Sequence, residues 1–139
     1  MDYRRFASKR FFGHCFSFPF IWLPLLAFVL LDLLVSLYQA VCFPIYNLKK
    51  VERSRYIMIS DRAKLDYLPL FDKLSCMYCG YANGFLLYAK EIAGRTEKYW
   101  CGVKHQTNSK SFKDPNHRRL DFAAYGDESE FDERYGPRQ

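Results

Sequence analysis

Hydrophobic and polar positions divide the chain into three regimes. From Phe16 to Tyr46 the residues are nearly continuously apolar, interrupted by Asp32, Ser36 and Gln39. Pro19 and Pro24 break the early part and Pro44 closes the run, so the pattern predicts a helix from Leu25 to Phe43. Such a helix is about 28 Å long, close to one hydrocarbon thickness. From Asn83 onward the period becomes that of an amphipathic helix. Phe85, Tyr88, Ala89, Ile92, Thr96 and Tyr99 share one face, with Lys90, Gly94 and Lys98 opposite. Leu65, Leu68, Phe71 and Leu74 recur at three-residue spacing, which predicts another face of a small core.

Punctuation between these runs predicts the minor elements. Arg55 to Ser60 reads as a short extended segment, after which Ser60 or Asp61 caps a brief helix through Leu68 and Pro69 opens the next. Asn108 to Lys113 is a polar loop. Asp114 as N-cap, Pro115 in the first turn and Gly126 beyond the end predict a final helix over 115–125. The expected organisation is a basic flank over 1–15, a membrane segment over 16–46 and a basic juxtamembrane linker over 47–60. A small Cys-rich helical domain follows over 61–125, then an acidic disordered tail over 126–139.

Charge sharpens the membrane reading. The chain of 139 residues has a net charge of +6, unevenly spread. Residues 47–64 hold six basic side chains against two acidic ones, whereas 126–139 hold five acidic against two basic. A basic cluster directly after an apolar segment matches anionic lipid headgroups, and it argues against nucleic acid as a partner. The apolar run is too long for a cleavable leader and has no small-residue cleavage site. The basic C-terminal flank puts the Cys-rich domain on the cytoplasmic side of a single span; an anchor lying along the interface is the alternative. Asp32, Ser36 and Gln39 form one polar line along the helix, at spacings that place them on one face. A polar line at membrane depth predicts a helix–helix contact, through self-association or with another membrane protein.

The candidate chemistry is a ligand cluster. Cys76, Cys79, Cys101 and His105 offer the three thiolates and one imidazole of a closed tetrahedral zinc site. A domain this small needs a staple, and five cysteines, an odd number, favour a metal over a disulfide framework. The geometry sets a condition. Asn83 to Tyr99 as one straight helix would separate the two ligand pairs by roughly 25 Å, so a single site within one chain requires a break, with Gly94 the obvious place. Iron, alone or as a 2Fe–2S cluster, is a lesser alternative. A third is a redox dithiol of Cys76 and Cys79 just before a helix. Cys15 and Cys42 read as small buried hydrophobes, and His14 and His117 as surface residues. Glu91 and Arg95 are spaced for an ion pair on a solvated face; Glu91, Arg95, Glu97 and Tyr99 as an acid–base pocket is the sharper alternative. Phosphate-loop, Ser-His-Asp and HExxH patterns are absent from the sequence.

The module Cys76-x-Tyr78-Cys79-x-Tyr81-x-Asn83-Gly84, followed by Glu91-Ile92-Ala93-x-Arg95-Thr96-Glu97-x-Tyr99-Trp100-Cys101 and Lys104-His105, resembles a group of small uncharacterised bacterial membrane-anchored proteins. The resemblance extends upstream to Asp61-Arg62, Leu65, Tyr67-Leu68 and Lys73. It implies a bacterial origin in the inner membrane and no particular activity. Gly102 stands where the group has proline, which loosens that turn. The fold expected is mainly α, an N-terminal membrane helix followed by a small helical domain stapled by metal. The function expected is a membrane-anchored, zinc-binding interaction or accessory-subunit protein. The competing class is a membrane-bound redox or hydrolytic enzyme using the same cysteines.

Overall fold

The computed structural model describes residues 11–64, 68, 70–106 and 119–136. The fold is mainly helical. Helix α1 (Phe11–Ile45) is followed by a single 3-10 turn at Arg53–Arg55, a short α2 (Ser60–Ala63), a long α3 (Leu70–Trp100) and α4 (Glu128–Tyr135). Among the described residues the only β pairing is one parallel bridge, Val103 with Ala123.

Helix α1 is much longer than the 25–43 segment predicted. Pro19 and Pro24 lie inside it rather than before it, and Pro44 lies within its last turn. A proline removes one hydrogen bond and crowds one carbonyl, but packing on both sides can carry the helix through. Here Phe18 stacks on Phe71 and Trp22 on Tyr78, at centroid separations of 5.8 and 5.0 Å. The helix ends on Asn47, not on Pro44. Asn47 takes a left-handed φ of 54°, its N–H reaches the Pro44 carbonyl, and the Leu48 N–H reaches the Phe43 carbonyl at 2.8 Å. Those two bonds, with Leu48 packed on the cluster that holds Phe43, make a Schellman ending.

The two long helices run parallel. Phe18 meets Phe71 near their starts, Phe28 meets Phe85 midway, Tyr38 bonds Thr96 at 3.1 Å, and Tyr46 stacks on Tyr99 near their ends. A parallel pair obliges the connection to travel back, and it does so along the seam. Val51 lies against Gln39, Arg53 against Asp32, Ile57 against Gly84 and Met58 beside Gly80. Gly84 is required there: a β-carbon would strike the Tyr56 carbonyl and the Ile57 backbone. The core of Phe43, Val51, Ile57, Phe85, Tyr88 and Ile92 thus takes residues from both helices and the returning segment.

The predicted face of α3 is confirmed at Phe85, Tyr88 and Ile92, which are buried. The preceding stripe is not a core: Phe71 and Leu74 are exposed and Leu68 is half-buried, while Leu65 lies outside the described residues. Of the predicted helix over 115–125, Arg119 is helical, but the chain has left the helix by Leu120, and Ala123 pairs with Val103 just beyond α3. Asp114, Pro115, His117 and the loop over 108–113 lie outside the described residues. Over its described residues, 126–136, the acidic tail is structured. Asp127 caps α4 by accepting from the Glu130 N–H at 2.9 Å, Glu130 accepts from the Ala124 N–H, and Tyr135 donates to the Asp121 carbonyl. Gly102 serves that docking: its φ of 68° is left-handed, and the Tyr135 ring covers the space a β-carbon would need.

Candidate functional site

The polar line of α1 is buried against its own chain. Asp32 accepts from two Arg53 nitrogens, Nε at 3.2 Å and Nη2 at 2.5 Å, and from Tyr81 Oη at 3.1 Å; Ser36 Oγ lies at 3.4 Å. Gln39 acts as a substitute strand for the returning segment. Its Oε1 accepts the Val51 N–H at 2.6 Å, while its Nε2 donates to the Val51 carbonyl and to Tyr88 Oη at 3.2 and 3.0 Å. The helix–helix contact read from Asp32, Ser36 and Gln39 therefore exists, but its partner is α3 with the linker of the same chain. Arg53, Tyr81 and Tyr88 were missed as members of this network. The only signal for them is arithmetic: two buried polar groups and a half-buried one on one helix require donors and acceptors elsewhere.

The four predicted metal ligands do not converge. Cys76 and Cys79 sit inside α3, not on a turn before it, and Cys101 follows the last residue of the same helix. Gly94 is buried within an unbroken helix, so the break that one site demanded is absent. Twenty-two residues of helical rise place Cys79 about 33 Å from Cys101, an order of magnitude beyond any zinc–sulfur bond. His105 stays at the Cys101 end, with Nε2 3.9 Å from the Glu97 carboxylate. Among the described residues no three His, Cys, Asp or Glu side chains gather in a ligand group. The residues present do not fit one zinc or iron centre within a single chain, and the small core is held by the α1–α3 seam instead.

What does come together is the dithiol. Cys76 and Cys79 are three residues apart on α3, which sets their Cα atoms about 5 Å apart and within disulfide range. Both line an open groove of about 540 Å³ between α3 and α2, with Asp61, Arg62, Met58 and Asn83 around them. Cys79 is exposed and Cys76 half-buried, so the pair is presented to the outside.

Toward the far end of α3, Glu91 is buried and takes ion pairs from Arg95, at 2.9 Å, and from Arg119. Burial alone would raise the Glu91 carboxyl; the hydrogen bonds from the two guanidinium groups outweigh it and hold the carboxyl below its usual range. Arg95 also donates to the Lys49 carbonyl at 2.5 Å, so this cluster ties α3 to the linker and to the C-terminal segment. The predicted Glu91–Arg95 pair is correct in partner and wrong in setting, since it lies inside rather than on a solvated face. Tyr99 turns away to stack on Tyr46, so the four residues do not form an acid–base pocket.

One described helix, over Cys15–Ile45, is long and apolar enough to cross a membrane. Its outward side exposes Leu23, Leu26, Leu30, Leu33, Leu34, Leu37, with Leu26 77% exposed. Asp32 is the only Asp, Glu, Lys or Arg between Phe11 and Ile45, and it faces inward. No protein-family model matches the chain, and neither the curated proteins nor the solved structures give a significant match.

Proposed function

We propose that this protein is a membrane-anchored interaction or accessory-subunit protein, with its charged module on the cytoplasmic face. The observation that carries this reading is the outward half of α1, an uncharged apolar surface running the length of the helix, far larger than a soluble monomer leaves uncovered. The basic linker with Lys49, Lys50, Arg53 and Arg55 supports an anionic leaflet on that side. Extraction and native mass measurement test the role. The full chain should fractionate with membranes, resist a high-salt wash and copurify with a defined partner or a second copy. A chain that remains in the soluble fraction would end the membrane reading, and a strictly monomeric, partnerless one would end the accessory role.

A second reading rests on the groove. Cys76 and Cys79 form a dithiol that gives two electrons and two protons to an acceptor disulfide, becoming a disulfide themselves. Mass spectrometry after reaction with oxidised glutathione should find an intrachain Cys76–Cys79 bond that reductant reverses. Persistent mixed disulfides at Cys79 without closure would count against it. Elemental analysis bears on zinc: one ion per chain, lost in Cys101→Ala, would require the two ligand pairs to meet between chains.

A further inference from the structure

We infer that α1 lies in the plane of one leaflet rather than crossing the bilayer, with its outward half among the acyl chains and α3 and the linker on the water side. This rests on the membrane reading above and specifies its geometry. Four observations carry it. First, α3 flanks α1 from Phe18–Phe71 to Tyr46–Tyr99, so any depth reached by α1 is reached by α3 as well. The exposed side chains of α3 include Asp72, Asn83 and Lys90, two of them charged, together with Leu86 and Leu87.

Second, the returning linker places Arg53 at the level of Asp32, midway along α1, with Glu52 and Arg55 beside it. Arg55 is 72% exposed and Glu52 56% exposed. A crossing α1 would put these charges in hydrocarbon, where they are strongly disfavoured and need a partner protein or a water-filled cavity. Third, the linker over 48–59 is mostly non-helical. Irregular backbone is tolerated at membrane depth only when buried in protein or lining water. Fourth, the length is wrong for a simple crossing. Thirty-five residues of helix extend about 52 Å, against about 30 Å of hydrocarbon.

Laid flat, all four conflicts vanish together. The uncharged half of α1 faces the lipid, the polar line stays inside the fold, and the charged linker and the exposed Asp72 and Lys90 of α3 stay hydrated. That segregation is the arrangement of a monotopic amphipathic anchor, here built from two parallel helices instead of one. The occupant of the α1 face is therefore a single lipid leaflet, with anionic headgroups drawn to Lys49, Lys50 and Arg55.

The test uses the full chain in vesicles of phosphatidylcholine and phosphatidylglycerol. In a background with the native cysteines replaced by serine, Arg55→Cys sits midway along α1 and Gly13→Cys near its start, where the backbone has open space around it. Lys49→Cys sits just beyond the other end. Membrane-impermeant maleimide should modify Arg55→Cys in sealed vesicles within twofold of its rate in detergent, and should reach Gly13→Cys and Lys49→Cys from the same side. Protection of Arg55→Cys by tenfold or more, or labelling of the two ends from opposite sides, would overturn the in-plane seat while leaving the membrane reading intact. Failure of the chain to float with protein-free vesicles would overturn both. Oriented circular dichroism of the unsubstituted chain on aligned bilayers gives an independent readout free of any variant. A spectrum of helices in the bilayer plane is expected, and one of helices along the normal would refute the inference.

Discussion

Helices α1 and α3 have similar lengths and pack against each other over most of them, yet their faces are reversed. Helix α3 in its middle buries Phe85, Tyr88 and Ile92 and exposes Asn83 and Lys90, although Leu86 and Leu87 are exposed beside them. Helix α1 buries Asp32 and Gln39 and exposes eleven leucine, valine or isoleucine side chains from Ile21 to Ile45. Hydrophobic burial against α3 alone would not choose that orientation, since either face of α1 offers apolar surface. The polar line chooses it. An unpaired carboxylate or amide facing lipid is far costlier than a leucine there, so the helix turns its few polar groups toward the groups that can satisfy them. The lesson is that in a helix almost wholly apolar, the rare polar residues set the rotation.

Breaking the seam where it is tightest should have the largest effect. Gly84→Val drives a side chain into the Tyr56 carbonyl and should destabilise the fold by about 3 kcal/mol, read as a lowered midpoint in thermal unfolding in detergent. Gln39→Leu removes three hydrogen bonds and leaves the Val51 N–H buried without its partner; a loss of about 2–3 kcal/mol is expected by the same measurement. Were Gln39→Leu neutral, the claim that polar residues set the rotation of α1 would be wrong. Asp32→Asn should cost less, about 1–2 kcal/mol, because Arg53 is half-exposed and water recovers part of the interaction.

Glu91 sharpens the comparison from the α3 side. Its carboxyl is held low in the folded chain, so the ion pairs contribute stability that is present above the unfolded carboxylate value of about 4.3. That contribution is lost as pH falls through the lower folded value. Glu91→Gln should reduce stability at neutral pH by about 1–2 kcal/mol and flatten this part of the acid limb in a pH-dependent unfolding series. The smallest change in folding is expected on the outward side of α1: Leu30→Arg and Leu34→Arg should shift unfolding in detergent by less than about 0.5 kcal/mol. The same pair should abolish flotation with vesicles. Retained flotation would show that the outer half of α1 does not contact lipid.

Much of this was legible in the residues. The helical period of Phe85, Tyr88 and Ile92 and the spacing of Asp32, Ser36 and Gln39 each marked a face that the structure buries. The ligand cluster does not close within one chain, because residues spaced along an unbroken helix are separated in space. Cys76 and Cys101 are drawn near by a motif and driven apart by a rise of about 1.5 Å per residue. Nothing in a single Gly94 reveals whether a helix breaks there; that depends on the packing around it, and here the residue is buried in an intact helix. Acidic composition alone does not show that Asp127 caps α4, or that Glu130 holds the Ala124 N–H and Arg134 while Arg134 also pairs with Asp121 upstream.

By itself the sequence determined the mainly helical class, the long apolar helix, the polar line along it and the buried face of α3, because each follows from a periodicity that local geometry enforces. Only the tertiary structure decided that α1 and α3 run parallel, that the linker returns between them carrying Arg53 to Asp32, and that the two ligand pairs stand at opposite reaches of one helix. Those outcomes depend on pairings between residues twenty or more positions apart, which no local period encodes.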